Sequence, residues 1–443
     1  TFTFDSTALD DGTQLVAFET LSQNGRELAV HADIEDMNQT VTIENPTIGT
    51  TAVDGVDGDK NVVTDSEATV VDTVSYDGLV PGKEYTVTGT LMDKATGEPL
   101  EVDGKAVTAE TTFTAEKSSG TVNVTFTFDS RALESGTQLV ALESLSQNGN
   151  ELVAHEDIED VNQTVTVTPP SIGTTAVDGA DGDKNVVVDD AMTIRDTVTY
   201  HNLVPGREYT VKGTLHIKGT DEDGNVTETV LTDAEGNPVT AETTFTPDSP
   251  DGMVDVTFTF DGRAIPDKTE VVAFESLEQG GVELAVHADI NDENQTTTVT
   301  HPTIGTTAVD GADGDKNVVC DSESTIVDTV EYKNVVPGKE YTVTGTLYDK
   351  ATGEALEVDG KAVTAQATFT PETADGTVEV TFTFDSRAIE AGTQLVVFET
   401  LEQGGIEIAV HADIEDEAQT VTITHPTIGT TAVVGHDGDK TVV

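Results

Sequence analysis

The sequence predicts an all-β protein, a tandem row of immunoglobulin-like β-sandwich domains forming an elongated rod. Three observations carry that expectation. A long segment recurs along the chain, β-branched runs alternate with turn signals inside each recurrence, and no stretch carries a convincing helical period.

The recurrence sets the frame. PTIGTTAVDG at 46–55 returns as PSIGTTAVDG at 170–179, PTIGTTAVDG at 302–311 and PTIGTTAVVG at 426–435. His31, His155, His287 and His411 follow the same rhythm, spaced by 124, 132 and 124 residues. Periods this long are domains in series, not solenoid turns sharing one core. The expected units are therefore the C-terminal part of a truncated repeat (1–45) and complete repeats at 46–169, 170–301 and 302–425. The N-terminal strand of a further truncated repeat follows at 426–443. The eight extra residues of the middle unit fall between Leu215 and Ala241 and predict a lengthened hairpin.

Within a unit, TVVDTVSY, EYTVTGTL, TVNVTFTF, TQLVALESL and QTVTVT read as strands, and VPGKE and KATGE as turns. Seven to nine short strands are expected per repeat. The linkers are single Pro-containing steps such as TPPSIGT, stiff enough to favour a rod over a flexible string.

Composition narrows the function. Acidic residues outnumber basic ones by 83 to 21, a formal charge of −62 spread along the chain. Such a surface repels phosphate backbones and acidic membranes, although a halophilic origin leaves the same mark. No run of about 18 apolar residues offers a membrane span. The chain starts inside a strand-like run and stops in DGDKTVV, so it reads as a piece of something longer, without signal or anchor. The single cysteine, Cys320, aligns with Thr64 and Val188, and no disulfide holds the units together.

Each unit also places polar residues on apolar faces. In a strand, residues two apart share a face. Asp72 lies between Val70 and Val74, Asp196 between Ile194 and Val198, and Asp328 between Ile326 and Val330. Glu143 lies between Ala141 and Leu145, with Glu19, Glu275 and Glu399 in equivalent settings. Thr50 shares a face with Ile48 and Ala52, and Gln163 with Val161, Val165 and Val167. A lone buried carboxylate costs several kcal/mol unless paired or neutralised. Repetition of the set implies that these groups meet inside the sandwich.

The set is Thr50, Asp72, Glu143, His155 and Gln163; then Thr174, Asp196, Glu275, His287 and Gln295; then Thr306, Asp328, Glu399, His411 and Gln419. Its chemistry is acyl transfer. A threonine hydroxyl needs a base, which histidine can supply, and the glutamine carboxamide is an electrophile that can release ammonia. Two close carboxyls share a proton and can donate it to the amide oxygen or the departing nitrogen. The product is a Thr–Gln ester between the first and last strands. A competing reading is structural: the carboxyls bond backbone at sheet edges and the histidine caps a turn.

At these residues the chain resembles the VaFE-repeat, or Thr–Gln ester-bond-forming, stalk domains of Gram-positive bacterial surface adhesins. The motif stands as VAFE at 16–19 and 272–275, VALE at 140–143 and VVFE at 396–399, joined by IGTTAVDG and HxDIxDxxQT. The resemblance implies an Ig-like stalk domain with a self-formed ester: a threonine nucleophile, a glutamine acceptor, and assisting Asp, Glu and His. It implies no cofactor, no external substrate and a cell-surface location, with wall anchoring and any host or surface ligand served by regions outside these residues. Alternation favours the first threonine of each TT pair, leaving Thr51, Thr175 and Thr307 as the fallback. Glu19, His31 and Gln39 lack a threonine and Thr430 lacks a glutamine, so those sets are expected to stay idle.

Rival expectations remain. Lys60, Lys184, Lys316 and Lys440 recur in DGDK, but isopeptide chemistry is disfavoured because Asn38, Asn162 and Asn294 give way to Ala418. A tandem ligand-binding module without crosslinks would use variable loops, and 215–241 is the strongest candidate. A turnover hydrolase is disfavoured by the built-in electrophile. DGVDGDKN and TDEDGNVTE hold spaced carboxylates, yet neither completes a twelve-residue calcium loop, and turn chemistry explains them equally; no metal site is expected.

Overall fold

The computed structural model describes residues 1–6, 9–432 and 440. Among them the regular structure is strand throughout, and no helix is long and apolar enough to cross a membrane.

The stretch 47–168 forms two facing sheets. Thr47–Asp54 pairs with Ala68–Asp77, which pairs with Gly120–Phe128, making a three-stranded sheet. The opposing sheet runs Thr108–Thr114, Glu84–Asp93, Gln138–Gln147, Thr164–Thr168, Asn61–Val63, with Asn150–His155 hydrogen-bonded to part of Gln138–Gln147. Its last pair, Thr164–Thr168 with Asn61–Val63, is parallel. The first long strand and the last therefore lie in different sheets. The same two-sheet pattern recurs in 171–300 and 303–424.

Alternation explains the core. Val70, Val74, Phe126, Leu91, Leu139 and Leu145 are fully buried between the sheets. Each repeat contains more strands than the seven to nine expected, because the hairpin excursion adds two-residue ladders such as Glu101–Val102 with Lys105–Ala106. In the middle repeat this excursion becomes a real extension: Tyr209–Thr220 runs on to pair with Val226–Val230.

The two ends differ. In the first 45 residues, Gln14–Val16 pairs with Thr40–Thr42 and Glu19–Gln23 with Arg26–His31. Among the described residues these strands form two separate two-stranded sheets, and Phe2, Phe4 and Leu21 stand 72%, 54% and 64% exposed. The strand expected in 426–443 does not form over 426–432. Residues 433–439 and 441–443 of that expected strand lie outside the described residues.

A mid-strand glycine facing the site is dictated by packing in each complete repeat. Gly89, Gly213 and Gly345 sit mid-strand, directly opposite Glu143, Glu275 and Glu399 on the neighbouring strand. A Cβ on Gly213 would stand 2.4 Å from Phe258 Cζ, and Gly89 and Gly345 meet Phe126 and Phe382 at 2.5 Å. The missing side chain lets an aromatic ring press beside the carboxyl. Gly213→Ala is expected to destabilise the middle repeat by about 1–3 kcal/mol through overpacking. Denaturant unfolding checks this, and an unchanged midpoint would refute the close approach.

Candidate functional site

The three complete sets converge between the sheets. Thr50, Thr174 and Thr306 are buried on the inner face of the first long strand, while Thr51, Thr175 and Thr307 are exposed. Asp72 lies on the adjacent strand opposite Ala52, one pleat from Thr50. Glu143 comes from the facing sheet, and Gln163 from the bend that starts Thr164–Thr168. Asp72 and Gln163 are fully buried and Glu143 is 1% exposed; the equivalent carboxyls and glutamines of the other two repeats match.

Hydrogen bonds join the threonine, glutamine and glutamate of the second and third sets, and the glutamine and glutamate of the first. Gln295 Nε2 donates to Thr174 Oγ1 at 2.7 Å and to Glu275 Oε2 at 2.8 Å. Gln419 Nε2 donates to Thr306 Oγ1, and to Glu399 Oε2 at 2.6 Å. Thr306 Oγ1 in turn donates to that same Glu399 oxygen at 3.4 Å. In the first complete repeat Gln163 Nε2 donates to Glu143 Oε2 at 2.7 Å. There Thr50 Oγ1 is buried without a hydrogen-bond partner. The glutamine oxygens Oε1 of all three sets likewise have no donor.

Both carboxyls of each site are pushed towards the protonated form. Burial, and then the neighbouring Asp72, push the Glu143 carboxyl up to about 10. Glu275 and Glu399 are raised in the same way, by burial and by Asp196 and Asp328. Asp72 is itself raised by burial, with Glu143, the Thr51 amide and Lys60 opposing. Neither oxygen of Asp72, Asp196 or Asp328 has a donor in hydrogen-bonding geometry, so a proton between the carboxyls is their available source of satisfaction.

The histidines sit one step away. His155, His287 and His411 pair in register with Glu143, Glu275 and Glu399 on the adjacent strand. Their Nε2 atoms meet Asp160, Asp292 and Asp416 at 3.0, 2.9 and 3.0 Å, and no hydrogen bond joins them to the threonines. These aspartates are the second Asp of HxDIxD. The motif was visible, but its sequence gave the residue no role. The expected inward face of Val161 also fails: it is 74% exposed, because the chain turns there and alternation begins only at Gln163.

The recurring lysines have a place the sequence did not reveal. Lys184 Nζ donates to Ala176 O at 2.5 Å and to Asn294 O at 2.6 Å. Lys60 joins Ala52 O to Asn162 O, and Lys316 joins Ala308 O to Ala418 O. A backbone bond runs beside each, Ala176 N to Asn294 O at 2.9 Å in the middle repeat. The clamp fixes the threonine strand to the residue before the glutamine. It reads backbone carbonyls, so the change from Asn to Ala418 leaves it intact.

The incomplete sets are partial in space too. Gln39 Nε2 donates to Glu19 Oε2 at 2.5 Å and His31 meets Asp36 at 2.8 Å, but Glu19 and His31 are exposed. Thr430 is exposed and lies outside any strand. Asp310, Asp313 and Asp315 cluster in the DGADGDK turn at 310–316, where their oxygens accept the amides of Ala312, Asp315 and Asn317. Turn formation accounts for them.

The fold and site define a class: β-sandwich repeats that bury a threonine hydroxyl, a glutamine carboxamide and two carboxyls together. The chain belongs to the T-Q ester bond containing domain family, whose model matches residues 1–43, 46–167, 170–299 and 302–423. No curated protein sequence matches it. Among solved structures it is similar to a bacterial adhesin from Mobiluncus mulieris containing intramolecular disulfide, isopeptide and ester bond cross-links. That overlay has 17% identity and a TM-score of 0.24, covering 53% of this chain and 81% of the adhesin. A second crystal form of the adhesin gives the same identity and score, with 58% and 94% covered. The three N-terminal domains of the bacteriophage RB49 highly immunogenic outer capsid protein overlay at 10% identity and TM-score 0.27, covering 87% and 100%. Overlays this loose leave the family match and the site geometry to carry the assignment.

The raised carboxyl has a signed consequence. The folded pair keeps a proton that the unfolded chain gives up above about 4.5, so its contribution to stability is full below that pH and drains away towards about 10. In a Thr50→Ala, Thr174→Ala, Thr306→Ala chain, urea midpoints should fall between about pH 5 and about pH 9. Adding Glu143→Gln, Glu275→Gln and Glu399→Gln should flatten that fall. An equal slope in both chains would contradict the shared proton.

Proposed function

We propose that each complete repeat closes an ester between Thr50 and Gln163, Thr174 and Gln295, or Thr306 and Gln419, and that the chain serves as the stalk of a surface adhesin. The observation that supports it best is the middle site. There the nucleophile, the leaving nitrogen and a carboxyl oxygen meet within 2.8 Å in a buried pocket.

The proposed step balances within the repeat. Threonine Oγ attacks glutamine Cδ, and its proton passes to the ionised member of the carboxyl pair. The planar amide first donates to Glu275 Oε2; once the nitrogen turns tetrahedral, its lone pair can accept a proton along the same line. The Oγ–Cδ bond forms, the Cδ–Nε2 bond breaks, and ammonia leaves with the pair's proton. Glu275 is the proton shuttle and Asp196 its proton-sharing partner. His287, held by Asp292, is assigned an electrostatic role near the pair and not that of threonine's direct base. The reaction happens once per repeat and takes no external substrate, so the chain is not a turnover enzyme.

The bond would bridge the two sheets near the points where the chain enters and leaves each repeat. Tension would pass through the ester, bypassing most of the intervening loop. That suits an extracellular stalk with one cysteine and no disulfide. Closure of a loop of about 100 residues stabilises by about 4–5 kcal/mol in the chain-entropy model.

Thr174→Ala should therefore lower the middle repeat's stability by about 4–5 kcal/mol. In peptide mapping it should abolish the Thr174–Gln295 crosslinked peptide while sparing the other two. Lys184→Met, which removes the clamp without touching reacting atoms, should slow ammonia loss from the middle repeat alone. Loss of all three crosslinked peptides in Thr174→Ala, or their absence from the unaltered protein, would overturn the proposal.

A further inference from the structure

The joints between repeats carry a pattern of their own. At the first, Gln279 at the tip of a hairpin of the middle repeat enters the end of the preceding one. Its Oε1 accepts the Ser66 amide at 2.9 Å and its Nε2 donates to Asp65 Oδ2 at 3.1 Å. Arg131 Nη1 donates to Gln279 O at 2.7 Å, with its other nitrogens fixed on Asp129. At the second joint Gln403 accepts the Asp190 amide at 3.0 Å, and Arg263 donates to Gln403 O at 2.8 Å. A basic residue of the following repeat closes each contact: Arg207 on Glu67 at 2.8 Å, Lys339 on Asp190 at 2.7 Å.

The docking is visible in exposure. Gln279 and Gln403 are 5% and 3% exposed, and the Arg131 and Arg263 side chains 18% and 14%. Arg387, the same residue at the far end of the third complete repeat, is 65% exposed.

Sequence and geometry then agree on a match. The docked hairpins read EQGG at 278–281 and 402–405, whereas the earlier hairpins read SQNG at 22–25 and 146–149. A Cβ on Gly280 would stand 3.1 Å from Arg131 Nη1, and one on Gly404 2.7 Å from Arg263 Nη1. Both glycines have φ of +58°. The asparagine of SQNG cannot enter an arginine socket without displacing the guanidinium. The chain respects this: the repeat preceding SQNG at 146–149 reads FDST at 4–7, with threonine in the arginine's place, while FDSR at 128–131 and FDGR at 260–263 precede EQGG.

We infer that the joint is a matched recognition surface, in which an arginine socket takes a Gln-Gly-Gly hairpin and excludes a Gln-Asn-Gly one. It holds consecutive repeats in one orientation. The partner that fits the Asp321 and Arg387 face is accordingly another repeat of this family bearing Gln-Gly-Gly and a basic VPG loop. The inference rests on the joints and not on the ester, and intact mass reports the ester separately.

The test uses the full chain with Cys320→Val and spin labels on cysteines at the exposed mid-strand positions Thr112, Thr244 and Thr368, taken in pairs. Electron–electron distance measurements should give one narrow distribution across each joint. Gly280→Asn should lose the narrow 112–244 distance while leaving 244–368 unchanged. Adding Arg131→Thr, which recreates the combination found upstream, should restore it. A 112–244 distribution that stays narrow in Gly280→Asn, or one that stays broad in the double variant, overturns the matched joint.

Discussion

Two carboxyls cannot both ionise cheaply in an apolar core, and each complete repeat is organised around that constraint. Val70 and Val74 flank Asp72, Ala141 and Leu145 flank Glu143, and Phe126 presses beside the glutamate through the gap left by Gly89. The apolar walls that stabilise the sandwich are the same walls that raise the carboxyls. Burial thus favours the protonated carboxyl beside a threonine and a glutamine, more than an exposed pair would. On the proposed mechanism, closing the core is also what supplies the proton donor.

Placement of the groups proposed to react on opposite sheets would link chemistry to mechanics. A sandwich fails under tension when its terminal strands peel away, and Thr174 and Gln295 lie at those two ends of the repeat. The lysine clamp ties the same two segments noncovalently, bringing the Ala176 and Asn294 carbonyls to one ammonium. Its charge is partly desolvated, which lowers the Lys184 ammonium, while Asp196 and Asp292 oppose that shift. Noncovalent clamp and proposed ester act on one seam, and the joints continue that organisation from repeat to repeat.

Much of this was legible in sequence because β structure writes burial in alternate letters. Thr50 could be separated from Thr51, and Asp72 placed inward, from their neighbours alone. Periodicity supplied the repeat frame without any structural information. What alternation could not supply was anything resting on backbone or on irregular chain. The Lys60 clamp reads carbonyls, so no side-chain pattern, including the change to Ala418, could reveal it. Asp160 holds His155 from a turn, where no face rule applies, and Val161 was assigned inward for the same reason. The two-sheet separation of Thr50 and Gln163 needed the pairing of strands. The joint was half legible: EQGG against SQNG can be seen in the letters, but only the position of Arg131 gives the difference a meaning.

Intact mass under denaturing conditions tests the central claim most directly, because an ester formed with loss of ammonia survives unfolding as a covalent deficit. The account predicts that the 443-residue chain is lighter than its sequence by one ammonia for each complete repeat, three in all, with no contribution from the set at Glu19, His31 and Gln39. A mass equal to that of the unmodified sequence would contradict it.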